Sequence, residues 1–260
     1  SNYLGCIGRS TGYEINNVNL NEVYINGNYY LGGLFGNTLT GNIKNITASN
    51  IHIKTIDGDY IGGLVGIMTT SVENTFENVS ISDSTIEGDD YVGGLIGYGN
   101  ISKNAYVNHC TIKGRGNVGG AMAKYDWISG VHNVNITNSN ISGETSVGGI
   151  VGSGGSLYDS IIISSTIEGN STNSTRVGGI IGNTSWQNNR CGVISCSIIS
   201  KGSEVGVITG RGMELNACYG INNYIEGYSN VGGISGYGIT GTMKYNYTNA
   251  TVVATEHSAG

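Results

Sequence analysis

A glycine-rich phrase returns nine times along this 260-residue chain. Its clearest copies are YLGGLFG from Tyr30, YIGGLVG from Tyr60, YVGGLIG from Tyr91, SVGGIVG from Ser146 and RVGGIIG from Arg176. The leading glycines are Gly5, Gly32, Gly62, Gly93, Gly119, Gly148, Gly178, Gly206 and Gly232. Their interval is nearly constant at about 28 residues, and a period in this range, kept over a whole chain, is the signature of a solenoid. Each unit is too small to bury its own apolar face and does so only against its neighbours. Gly260 falls one more such interval beyond Gly232, where a further copy would open. Residues 1–260 are therefore expected to form one solenoid fragment of a longer array, uncapped at both ends.

Between the glycine phrases lies a second shared segment, as in FENVSISDSTIEG from Phe76 and VHNVNITNSNISG from Val131. Its apolar residues alternate with polar ones, the period-two mark of a β-strand, and no helical period is visible. Each repeat thus supplies about three short strands. The expected fold is all-β: a parallel β-helix (β-solenoid) of 8–9 coils, right-handed by the general rule for parallel crossovers. Equivalent strands would stack at ~4.8 Å. Glycine weakens regular structure, so pairs such as Gly32-Gly33, Gly62-Gly63 and Gly93-Gly94 need a reason. Positive φ or close backbone approach would each provide one. Asn17, Asn45, Asn78, Asn108 and Asn133 recur in the second segment. Asparagine tolerates left-handed backbone and can stack into an amide ladder; a sugar-binding row is the functional rival.

Composition narrows the function. The chain has a net charge of -6 and only 12 Lys and Arg, which argues against nucleic-acid binding. No apolar run is long enough to cross a bilayer, and no secretory signal is visible. The five cysteines, Cys6, Cys110, Cys191, Cys196 and Cys218, contain no C-x-x-C pair. They read as small buried residues, with a Cys196–Cys218 disulfide between neighbouring coils as the alternative.

The phrases Gly32-Gly33-Leu34-Phe35-Gly36 and Gly63-Leu64-Val65-Gly66 resemble the GLUG repeat, named for Gly-Leu-any-Gly. Similar repeats occur in large surface adhesins and in the non-catalytic part of immunoglobulin A-cleaving metallopeptidases. That resemblance implies an extracellular, wall-associated β-helical segment. Two copies depart from it: Ala123 replaces the last glycine in one, and Val207 the second glycine in another. Those coils are expected to bend differently.

Four groups of residues are candidates for chemistry or binding. The histidines His52, His109, His132 and His257 lack the H-E-x-x-H setting of a zinc peptidase. The carboxylates Asp57, Asp59, Glu87, Asp89 and Asp90 fall on equivalent turns of adjacent coils. They are candidates for a glycosidase pair or a calcium site, weighed against ordinary loop polarity. Tyr30, Tyr60 and Tyr91 recur just before the glycines, as an aromatic binding file or as edge cover for the core. Ten N-x-[ST] sequons, including those at Asn45, Asn78 and Asn246, permit glycosylation without requiring it.

The sequence therefore points to a non-catalytic extracellular shaft with no cofactor and no resident metal. Its partners would be a surface protein or glycan of a host or neighbouring cell, or further copies of itself. The alternatives are a carbohydrate- or protein-binding module, a filament subunit joining end to end, and, last, a polysaccharide-active enzyme.

Overall fold

The structure, a computed structural model, describes residues 3–69, 74–101, 103–125, 130–173, 175–184, 186–239 and 241–255. His257 and Gly260 lie outside them. The regular elements among the described residues are β-strands, gathered into three sheets of eight, nine and eighteen strands. Each sheet is a wall of a β-solenoid, and pairing runs from one coil to the next in parallel. A coil passes through a narrow wall, a second short wall and one broad wall, then repeats.

The narrow wall carries the glycine phrase. Its strands are Leu31–Gly32, Ile61–Gly62, Val92–Gly93, Asn117–Gly119, Ser146–Gly148, Arg176–Gly178, Val205–Gly206 and Val231–Gly232. Gly32, Gly62, Gly93, Gly119, Gly148, Gly178, Gly206 and Gly232 pair in one unbroken column. Leu4 bridges Leu31 beneath it, which brings Gly5 to the foot of the same column. The aliphatic residues on either side point inward and also stack. Leu31, Ile61, Val92, Val118, Val147, Val177 and Val205 form one fully buried file, and Leu64, Leu95, Ile150, Ile180 and Ile208 belong to another.

Close approach, rather than positive φ, explains the glycines. None of the repeat glycines adopts the left-handed region; the residue two places earlier does, at Tyr30 (φ 54), Tyr60 (φ 62) and Tyr91 (φ 54). A β-carbon on Gly148 would lie 1.7 Å from the Val151 carbonyl oxygen of its own turn. One on Gly63 would lie 2.2 Å from the Gly94 carbonyl oxygen of the next coil. The first glycine lets the chain turn sharply inward, and the second lets coils stack. Both departures from the repeat keep the register: Gly119 pairs on both sides, and so does Gly206. Val207 leaves a local trace, since its N–H donates to Gly232 at 3.4 Å where the equivalent bonds in other coils span 3.0–3.3 Å. The glycine column thus runs unchanged through both coils, while the next wall of the Val207 coil carries a register shift between Arg211 and Gly212.

At the corner after the second short wall, large and small residues alternate up the rod. Met68 is followed by Gly99, Tyr125 by Gly154, and Thr184 by Gly212. Tyr125 is wholly buried, and its hydroxyl donates to the Ser156 carbonyl. Each large side chain fills the space left by the glycine above it, as tight packing demands.

The broad wall is bent twice in every described coil but the last, which is bent once at Tyr245, by left-handed residues that are not glycine. The first bend uses Asn17, Asn45, Asn78, Asn104, Asn133, Asp159, Arg190, Ala217 and Tyr245; the second includes Asn50, Asp83, His109, Asn138, Ser164 and Ser195. The residue after each bend points inward. Ser84, Ser139, Ser160 and Ser165 take such places, and their hydroxyls accept a backbone N–H from the neighbouring coil. Cys110, Cys191, Cys196 and Cys218 take them too, which is why they are buried.

Candidate functional site

Two outward ladders run along the rod where the sequence placed its candidates. In the first, Asn45 donates to Asn16 (2.8 Å), Asn78 to Asn45 (3.2 Å), Asn104 to Asn78 (2.8 Å) and Asn133 to Asn104 (2.7 Å). Asn17 holds the left-handed position at the foot of the row. Asn108 is not part of it, which corrects the sequence reading. It lies four residues beyond Asn104 on the same strand, pairs with Ser82 and Thr137, and accepts hydrogen bonds from Thr137 and Asn138. The signal that finds Asn104 is distance to the coil-closing glycine. Asn17, Asn78, Asn104 and Asn133 each stand ten places before Gly27, Gly88, Gly114 and Gly143, whereas Asn108 stands six before Gly114. Above Asn133 the row changes chemistry, and Arg190 clasps Asp159 with bonds of 2.5 and 2.8 Å. That guanidinium holds the Asp159 carboxyl below the usual range.

In the second ladder Tyr30, Tyr60 and Tyr91 lie face to face, with centroids 5.2 and 4.8 Å apart and planes within 10°. Tyr3 extends the row at 4.8 Å, and Tyr98 meets Tyr60 and Tyr91 edge-on. Arg9 lies over the Tyr3 ring and Lys124 over the Tyr91 ring, at the two ends. A sugar stacks on the flat face of an aromatic ring, and here those faces are turned to one another. What the row offers outward is ring edge and hydroxyl. Partial burial, together with the neighbouring Tyr91 and Tyr30, raises the Tyr60 hydroxyl pKa.

The carboxylates are divided among separate partners. Glu87 pairs with Lys54 at 3.1 Å, and Asp89 with Arg115. Asp90 accepts the Asn117 backbone N–H at 2.8 Å, and Asp59 accepts that of Asp90 at 3.2 Å. Burial is the main reason Asp59 titrates higher than usual, with the Asp90 and Asp89 charges adding to it. Asp57 is exposed. Among the described residues, no group of three or more His, Cys, Asp and Glu side chains is placed to hold a metal ion. The geometry is that of turn caps and ion pairs.

The sequence reading missed a third ladder, in which charge alternates up the broad wall. Glu77 sits between Lys44 (3.1 Å) and Lys103 (3.5 Å), one coil on either side, and they hold its carboxyl below the usual range. Asp83 and His109 make a similar contact at 2.7 Å. Such pairs appear only once the register of unequal coils is known.

The cysteines are free, with Cys6 exposed and the other four buried. Cys196 and Cys218 do not share a column: Asn223 follows Cys196, whereas Cys218 follows Cys191. Burial pushes the Cys110 thiol up to about 12. No helix among the described residues is long and apolar enough to cross a membrane.

No protein-family model matches the chain, so the GLUG resemblance stands on the phrase alone. The chain is 30% identical over 215 residues to halomucin of Haloquadratum walsbyi; the match covers 82% of this chain and 2% of that protein's length. A crystal structure from Bacteroides ovatus, named a "putative immunoglobulin A1 protease", is similar over 82% of this chain and 69% of that one, with a TM-score of 0.49 and 14% identity. What these comparisons leave in hand is a parallel β-solenoid whose sequence resembles a small segment of a far longer protein.

Proposed function

We propose that the chain is a non-catalytic, stiff segment of a surface or secreted protein, which sets the distance between whatever lies at its two ends. The observation that supports this most is the single glycine column from Gly32 to Gly232. Its seven steps correspond to a rise of roughly 34 Å. The backbone hydrogen bonds between coils run along the rod axis, and the buried files continue from coil to coil. Bending would have to open these contacts on one side, and among the described residues the buried core runs without a break from Leu31 to Ile225. The likeness to 2% of halomucin fits a part used within something much larger. The division of the carboxylates among caps and ion pairs favours a role without catalysis.

The test is a distance measurement. Spin labels or fluorophores attached at exposed positions on the first and last coils should give one narrow distribution, unchanged by viscosity or crowding. A broad or bimodal distribution would defeat the spacer reading.

A second reading, binding of glycan by the shaft itself, draws on a different place from the one the sequence suggested. Tyr245 is 86% exposed and Tyr247 57% exposed. Tyr245 lines a shallow cleft with Asn189, Glu214, Asn216 and Lys244. Free ring faces beside amides and charges suit a sugar. Glycan-array binding that is lost in Tyr245→Ala and kept in Tyr60→Ser would favour it.

A further inference from the structure

Four cysteines occupy inward corners, and two of them stand one above the other. Gly192 pairs with Tyr219, so the preceding residues, Cys191 and Cys218, are neighbours in one column. The Tyr219 N–H donates to the Cys191 carbonyl at 2.9 Å. No other described cysteines are so placed. Ser139 follows Cys110, Asn223 follows Cys196, Ser160 precedes Cys191 and Asn246 follows Cys218. Both side chains are fully buried. Cys191 Sγ reaches the carbonyls of Asn189 (3.4 Å) and Leu157 (3.5 Å), and Cys218 Sγ those of Asn188 (3.4 Å) and Asn216 (3.6 Å). Paired strands are ~4.8 Å apart, inside the span of about 4.4–6.8 Å that a disulfide requires between α-carbons.

We propose that Cys191 and Cys218 form a cross-coil disulfide when the chain meets a low-molecular-weight disulfide, stapling two successive coils. The Cys218 thiolate attacks one sulfur of the oxidant, giving a mixed disulfide and releasing one thiolate. The Cys191 thiolate then displaces the second oxidant half. Two protein thiols lose two protons and two electrons, and one small disulfide becomes two small thiols. Both thiols are buried, so the first attack follows local opening of the end coil, Tyr247–Ala254. That coil is paired to Cys218 through the Tyr247 N–H at 2.9 Å, and its opening uncovers Cys218 before Cys191. Burial keeps the Cys191 thiol protonated until then. Exchange proceeds through the thiolate, so the order follows. The bond closes one whole coil into a loop and so constrains the unfolded chain. The oxidised protein therefore melts later.

The experiment is to incubate the folded protein with oxidised glutathione, then alkylate in denaturant and map the peptides. Exposed Cys6 reports whether the oxidant has acted. The expected result is a linked peptide pair containing Cys191 and Cys218, with a melting midpoint several degrees higher that returns on reduction. In Cys191→Ser the link and the shift are lost, while Cys196→Ser keeps both. Serine holds the equivalent corner at Ser160, and a β-rich circular dichroism spectrum confirms that each variant folds. The proposal is overturned if Cys191 and Cys218 remain alkylatable once Cys6 is fully oxidised. A link through Cys196 overturns it as well.

Discussion

The narrow glycine wall and the broad wall belong to the same coils, yet they restrict their residues in opposite ways. In the narrow wall, backbone lies against backbone, and a single added carbon has nowhere to go. In the broad wall, side chains separate neighbouring layers, so the sequence must only alternate and place a tolerant residue at each bend. The narrow wall is fixed by what is absent. The broad wall is fixed by what fills it.

The comparison breaks most easily at the glycines. Gly148→Ala would set a methyl 1.7 Å from the Val151 oxygen. It is expected to cost more than about 4 kcal/mol, at the exceptional end for a point mutation, and to abolish cooperative melting. Gly233→Ala is its control. There the nearest atom is a methyl 3.2 Å away, and the change should be nearly neutral. If the two behave alike, close approach is not what selects glycine.

The broad wall should instead suffer from removal. Ile136 is fully buried, and Ile136→Ala should cost about 2–5 kcal/mol by leaving a cavity, as read by denaturant midpoint. The same wall contains a misfit that sharpens the contrast. Asn188 lies between Leu157 and Leu215 in the interior, and neither atom of its amide has a partner. Asn188→Leu should stabilise the fold by about 1–3 kcal/mol, since an unpaired buried polar group costs that much.

At the bends the effects should be smaller. Asn104→Ala removes two ladder hydrogen bonds and puts alanine at a φ of 57°, for a loss of about 1–2 kcal/mol. Asn108→Ala should cost less, since Asn108 does not hold a left-handed bend. Equal losses would mean that the amide row contributes nothing of its own.

The smallest expected effect comes from the charge ladder. Glu77 has a folded pKa lowered chiefly by the hydrogen bond from Lys44. Its contribution is therefore present above the unfolded value of about 4.3 and is lost as pH falls through the folded one. Glu77→Gln should thus lower stability at neutral pH by less than about 1 kcal/mol, as partly exposed pairs do, flatten the acid side of the profile and leave stability at low pH nearly unchanged.

Legibility in the sequence followed the same division. The glycine column could be read directly, because only one residue type lacks a side chain and it marks each coil at the same point. The aliphatic files came with it. The reading of the amide ladder matches the hydrogen bonds at Asn45, Asn78 and Asn133, where an apolar residue two places earlier announces the bend. At the foot of the row Asn17 holds the bend while Asn16 accepts the bond. The reading failed at Asn104, where the position two places earlier is Ser102 and the cue is missing. Tyr30, Tyr60 and Tyr91 were read as a file, but whether their faces were free could not be read from spacing.

The period alone therefore determined the coil, its stacking and which residues face inward, because glycine in every lap leaves the backbone one way to pile up. The tertiary structure decided which side chains meet across coils. Coils of unequal length shift their neighbours by amounts that spacing does not reveal. Only the final register joins Lys44 to Glu77, turns the tyrosine faces inward on one another and sets Cys218 above Cys191.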